Sequence, residues 1–143
     1  MYYTIYMFEQ CLYFNTTSLA RKLEREWSTA FKPFELTPPQ AFMLRVILQK
    51  PASLQSELAN EMNITRSTAT RTLEGLLKLG YIKRVTSLKD GRETEYHPTP
   101  KAVKVKDGIN DASAAVTKRM RKVLGNDVFE KVVGEVKAVS ESL

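Results

Sequence analysis

Residues 62–79 read MNITRSTATRTLEGLLKL, from Met62 to Leu79. Wound at about 100° per residue with Ala69 as reference, Leu73, Leu76 and Leu77 fall on its side, and Ser67, Arg71, Glu74 and Lys78 on the other. The stretch therefore predicts a helix with one apolar stripe and one polar face. Thr65 suits the N-cap, so the first turn presents Arg66, Ser67 and Thr68 with free backbone N–H groups at the positive end of the helix dipole. An anion such as a phosphate suits that end. Upstream, Ser53 is the expected cap of a shorter helix with Leu54, Leu58, Ala59 and Met62 on one side. A tight turn follows at Asn63, a residue that tolerates left-handed geometry. Two short helices joined in this way make a helix-turn-helix.

An ordinary amphipathic helix pair would give the same stripe, and periodicity alone does not separate the two. The polar face does more. It carries Arg66 and Arg71 interleaved with the small hydroxyls Ser67, Thr68 and Thr70, instead of the Glu/Lys mixture of a merely solvated surface, and that favours contact with DNA. Charge is distributed to match: of the net charge of +6, +5 falls within residues 62–104. A basic balance confined to one segment points to a polyanion-facing surface and not to a generally cationic protein.

Working outward, residues 9–34 predict a long helix with Leu12, Leu19, Leu23, Trp27, Ala30, Phe31 and Phe34 on one broad face. Thr37-Pro38-Pro39-Gln40 is a strong start signal, with Thr37 as N-cap, Pro38 at the first helical position and Gln40 closing a capping box. The helix it opens is expected to turn Phe42, Met43, Val46 and Ile47 inward and to stop near Pro51. Beyond the helix-turn-helix, Leu79-Gly80 ends the second helix with a glycine cap, and residues 81–86 read as a strand. A polar turn over residues 87–92 leads to a returning strand at 93–97, with Asp90-Gly91 supplying the turn chemistry. The hairpin tip carries Lys89 and Arg92, as a wing beside DNA would. Thr99-Pro100 opens a helix running to about Leu124, with Val105, Ile109, Ala112, Val116 and Met120 as buried candidates. Gly125-Asn126 separates a last helix whose Val128, Phe129, Val132, Val133, Val136 and Val139 find little local core to cover them. Apolar faces left open at both chain ends imply a partner subunit, most simply through a two-fold axis.

A single cysteine, Cys11, and a single histidine, His97, exclude a disulfide framework and the usual Cys/His zinc sites, so neither metal nor cofactor is expected. The opening MYYTIYMF lacks the basic flank and cleavage site of a signal peptide, and no later segment approaches a membrane span, so a cytoplasmic protein is expected. An enzyme is not expected: there is no Gly-rich phosphate loop, no second histidine, and no set of nucleophile, base and orienting residue.

The runs LTPPQAFMLRVI, LQSELANEMNITRSTATRTLEGLLKLGYIKR and SLKDGRETEYHPTPKA together resemble the MarR family of winged helix-turn-helix transcription regulators, over nearly the whole chain. The most specific parts are STATR, LGYIKR and Asp90-Gly91-Arg92; a glycine common in the family is replaced by Ala102. The resemblance implies a mainly α fold with a small β-hairpin wing. A single domain over residues 1–143 would hold a DNA-binding core at about 37–98, with dimerisation helices in 1–36 and 99–143. It implies a homodimeric regulator, a repressor by expectation, on a pseudo-palindromic double-stranded DNA site, with Arg92 reaching the minor groove and Asp90 holding it. DNA-binding candidates are thus Thr65, Arg66, Ser67, Thr68, Thr70, Arg71, Lys89, Asp90 and Arg92.

Many relatives sense a small aromatic acid in a cleft between the dimerisation helices and the winged domain. Here Trp27, Phe31, Phe34 and Phe42 are candidates to line one, but plain core is the expected role of each, and no ligand role is assigned to any of them. Gln10-Cys11-Leu12-Tyr13-Phe14 resembles the surroundings of the peroxide-sensing cysteine in the organic-hydroperoxide branch, which makes a hydroperoxide the second effector candidate, against a plainly buried Cys11. The alternative of a different class is a winged helix used for protein contacts or for sequence-tolerant DNA architecture.

Overall fold

The computed structural model describes residues 7–86 and 94–143. The order is α1 (Leu12–Phe31), a 3-10 turn (Lys32–Phe34), α2 (Pro38–Gln49), β1 (Ser53–Leu54), α3 (Gln55–Glu61), α4 (Arg66–Lys78), β2 (Ile82–Thr86), β3 (Thr94–Pro98), α5 (Pro100–Leu124) and α6 (Asn126–Ser142). The fold is mainly helical with a small antiparallel sheet in the order β1-β3-β2. Tyr96 of β3 lies opposite both Ser53 and Arg84. Among the described residues no helix is long and apolar enough to cross a membrane.

The start of α2 follows from its sequence. The Gln40 N–H donates to Thr37 Oγ1 at 3.3 Å and the Thr37 N–H to Gln40 Oε1 at 3.0 Å, closing the capping box ahead of a buried Pro38. Met43, Leu44 and Ile47 of α2 are completely buried and pack with Leu58, Ala69, Leu73, Leu76, Tyr81, Ile82 and Tyr96 into one core, to which Phe31, Ala102 and Ile109 join the long helices.

Four expectations need correction. Ser53 does not cap α3: it is a strand residue opposite Tyr96, its hydroxyl bonds to Lys50 O, and the helix starts after Leu54, whose N–H is taken by Glu57 Oε1 at 2.9 Å. A strand of two residues is too short for alternation to announce it. Phe42 is not inward; it is 37% exposed on the flank of α2, edge-on to Phe31. Leu12 and Leu19 of α1 are exposed, because the covered part of that helix begins only near Leu23. Thr99 stands at the N-cap of α5, but its hydroxyl turns away to Gly80 O. The last helix is as uncovered as its sequence implies: α6 has no buried residue, and Val128, Val132, Val133, Val136 and Val139 are all exposed.

Leu76, on the inner face of α4, has no exposed surface and belongs to the core. Leu76→Ala is expected to lower the unfolding free energy by about 2–5 kcal/mol, read from urea midpoints at fixed protein concentration.

Candidate nucleic-acid interface

The geometry of α4 begins in the turn before it. Asn63, with φ 55°, takes the left-handed conformation, and the Ile64 N–H returns to Ala59 O at 3.0 Å, so α3 and α4 meet through a tight corner. Thr65 caps α4: its Oγ1 accepts the Thr68 N–H at 3.3 Å and donates to Thr68 Oγ1 at 3.0 Å, with Ser67 Oγ 3.2 Å away. Helix geometry leaves the N–H groups of Arg66 and Ser67 without intrahelical acceptors, at the positive end of the dipole.

The two faces separate as the sequence implies. Ala69, Leu73 and Leu76 are buried, whereas Arg66, Ser67, Arg71, Glu74 and Lys78 are exposed. Among the described residues the ion pairs are Lys50–Glu61, Arg119–Glu26, Arg121–Glu130 and Lys137–Glu141, and His97 Nε2 lies 3.1 Å from Glu95 Oε2. Neither Arg66 nor Arg71 takes part in these pairs, and both residues are exposed. Thr65 is exposed and Thr68 half-buried.

Thr70 stands differently from its neighbours. It is half-buried, its hydroxyl donates to Arg66 O at 2.9 Å, and it accepts from Gln55 Nε2 of α3. Through Gln55 it ties α4 to the first residue of α3. Gln55 is the functional partner that sequence reasoning missed; its place at the first position of α3 was hidden by the misplaced cap at Ser53. On β2, Lys83 and Arg84 are exposed and add positive charge beside α4. Lys89, Asp90 and Arg92, the expected wing contacts, lie outside the described residues.

Beneath the sheet, burial raises the Tyr96 phenol above its ordinary pKa; nearby Arg84 opposes that shift and Glu74 adds to it. Burial, with a smaller push from Glu35, likewise raises the Tyr81 phenol, so its hydroxyl stays a donor.

A helix-turn-helix backed by a three-stranded antiparallel sheet, with its second helix turned outward, is a winged helix-turn-helix. The sequence profile of the MarR family matches residues 36–94, which run from just before α2 to the first residue of β3. The uncharacterized HTH-type transcriptional regulator YybA of Bacillus subtilis (strain 168) is 30% identical over 87 residues, which cover 61% of this chain and 58% of that protein. Among solved structures, the transcriptional repressor CouR bound to a 23-mer DNA duplex superposes with a TM-score of 0.86 at 20% identity, over 95% of this chain and 96% of that one. The M. tuberculosis transcriptional regulator MosR in complex with DNA gives 0.77 at 25% identity, over 92% and 98%. The similarity to the MarR family is thus carried by residues 36–94, and the fold of the chain beyond them is shared with CouR and MosR.

The Thr65 cap checks the geometry of α4 directly. Thr65→Ala is expected to cost about 1 kcal/mol of stability, while Ser67→Ala, at an exposed site, stays within about 0.5 kcal/mol of the starting protein; thermal melts of both variants measure the difference.

Proposed function

We propose that this chain is a homodimeric, sequence-specific regulator of transcription that binds double-stranded DNA with α4 in the major groove, and that it acts as a repressor released by an effector. The observation that carries the reading is the outer face of α4: an open helix N-terminus flanked by Arg66, Ser67 and Arg71, with no carboxylate paired to either arginine among the described residues. Such a face holds a phosphate at the helix end and offers guanidinium forks to base edges. Thr65, Thr68 and Thr70 support that face, and Lys89 and Arg92, with Asp90, are assigned to the wing on the strength of the resemblance. Residues 1–143 act as one unit in this reading, with the long helices on either side of the 37–98 core joining two copies.

A cleft supports the reading of a small-molecule effector. An opening of about 450 Å³ lies between α1, the start of α2 and the corner before α4, lined by Leu23, Trp27, Pro38, Phe42, Met62 and Ile64 among others. Its walls are largely apolar and touch the corner that orients α4, which favours a small aromatic ligand. Phe31 is fully buried and the Phe34 ring faces Gly108, so neither serves the cleft.

A second reading of the release step rests on Cys11. It is the N-cap of α1, partly exposed, and its Sγ accepts the Phe14 N–H at 3.5 Å. A hydroperoxide would convert its thiolate to a sulfenic acid with loss of an alcohol. An organic hydroperoxide is expected to release DNA from the wild type but not from Cys11→Ser; identical release curves would leave the aromatic cleft as the effector site.

The DNA reading is tested by footprinting and affinity. Protected sites are expected to be pseudo-palindromes with half-sites about 10 base pairs apart or a multiple of it. Arg71→Ala is expected to lower specific affinity by about 1–3 kcal/mol and relax sequence choice, whereas Lys89→Ala weakens all sequences alike and Arg92→Ala adds a loss at A·T-rich flanks. Binding with no preference above bulk DNA would instead identify an architectural protein.

A further inference from the structure

Three successive carbonyls just past the C-terminal end of α4, those of Leu79, Gly80 and Tyr81, face the start of α5. A helix leaves its last carbonyls without intrahelical donors. Here Gly80, at φ 77°, closes the end with its N–H on Leu77 O and the Tyr81 N–H on Leu76 O, both at 3.1 Å. The next carbonyls are taken by α5. Lys101 Nζ donates to Leu79 O at 2.6 Å, Thr99 Oγ1 to Gly80 O at 2.6 Å, and the Thr99 N–H to Tyr81 O at 3.0 Å. The Lys101 ammonium also stands 4.4 Å from the centre of the Tyr81 ring. On its other side the buried Tyr81 donates its hydroxyl to Phe34 O at 2.7 Å, just after α1. Phe34 in turn leans on α5, where a Cβ on Gly108 would come within 3.1 Å of its ring. The ends of α1 and α4 and the first turns of α5 thus close into one ring of contacts.

Two of these residues act against their own helix. Thr99 holds the N-cap position of α5 but makes no side-chain cap bond there. Lys101 brings a cation to the first turn of α5, where the dipole disfavours it, and delivers that cation to the C-terminal end of α4, where the dipole favours it. Local preferences given up in α5 to secure α4 are what a functional constraint leaves in a sequence.

We propose that Thr99, Lys101 and Tyr81 are positioning residues that clamp the C-terminal end of α4 to both terminal helical arms, and so set the separation of the two recognition helices in the dimer. The proposal rests on the reading of the chain as a dimeric DNA-binding regulator. The clamp lies about 20 Å along the helix from Arg66, so it acts on the pose of α4 and not on its contacts. With the clamp closed, α4 cannot pivot on its Ala69–Leu73–Leu76 face without moving α1 and α5. With it open, that face stays packed but admits a range of poses.

The test uses DNA as a ruler. Wild-type protein selects its site from random duplexes, and the site is resynthesised with the half-sites one base pair closer or farther, a change of about 3.4 Å and a tenth of a turn. The wild type is expected to lose about 10-fold in affinity on the altered spacings, and Thr99→Val and Tyr81→Phe only about 3-fold, with dimer mass and affinity for bulk DNA unchanged. Thr99→Ser keeps the hydroxyl and is expected to restore wild-type discrimination. Should one variant fail to fold, the other decides. Variants that discriminate the spacings as sharply as the wild type overturn the clamp, even if they melt lower. A wild type that binds a selected site but is indifferent to spacing overturns it too. Failure of the underlying DNA reading is seen separately, in a wild type that enriches no site at all, before any variant is made.

Discussion

The close approach of α4 to α2 is the constraint on which the rest of the structure depends. Ala69, Leu73 and Leu76 present a flat, fully covered face, and each leucine contributes about 1.5–3 kcal/mol by leaving water. Gly75 extends that face: a Cβ there would overlap the side-chain amide of Gln40. Gln40 is also the residue that closes the capping box of α2. The backbone of α4 therefore rests on the side chain that starts α2, and a bulkier residue at 75 would disturb the cap and the helix seat together. Because the inner face is fixed by packing, the outer face is free to carry residues that contribute nothing to folding.

Polar contacts complete the scaffold where apolar packing thins out. Ser113 of α5, itself buried, accepts from Trp27 Nε1 of α1 at 3.3 Å and from Arg45 Nη1 of α2 at 3.1 Å, and Arg45 Nε donates to Asn110 Oδ1 at 2.8 Å. Three helices meet on one hydroxyl. Burial lowers the Arg45 pKa from its ordinary value, yet a guanidinium stays charged under all ordinary conditions. Its acceptors here are neutral, so the network gives direction to the helix packing more than Coulombic stability.

How much was legible in the sequence follows from what each residue depends on. The caps at Thr37 and Thr65, the left-handed Asn63, the glycine end of α4 and its two faces were all readable, because each is fixed within one turn of its own chain. Ser53, Thr70 and Thr99 were misread or incompletely read for one shared reason. Each suits a local helix role, and for each a partner elsewhere in the chain decides otherwise or adds to it: Tyr96 pairs opposite Ser53 in the sheet, Gln55 donates to Thr70, and the Thr99 hydroxyl goes to Gly80 O. Local patterns state what a side chain is able to do, and tertiary contacts select among those options. Phe42 shows the same limit for apolar residues, since periodicity placed it on the core side of α2 while the path of α1 left it at the edge of a cleft.

The long helices carry the remaining argument. An isolated helix of 17 residues is marginal in water, and valine is a weak helix former; α6 is that long, is rich in exposed valine, and buries nothing. Its hold on the rest of the chain includes Arg121, which lies 4.3 Å from the centre of the Phe129 ring and 3.3 Å from Glu130 Oε1. Such exposed pairs contribute little, so the helix needs cover, and the proposed second copy would supply it through matching faces on both protomers. Covering α6 also constrains α5, which precedes it across Gly125 and extends about 37 Å back to Pro100. At that far end stand Thr99 and Lys101, bonded to the carbonyls of Gly80 and Leu79 just after α4. A dimer contact at one end of α5 would thus be transmitted through a single continuous helix to the base of the recognition helix. The same apolar faces that leave the lone chain incomplete would then fix where its two DNA-facing helices stand.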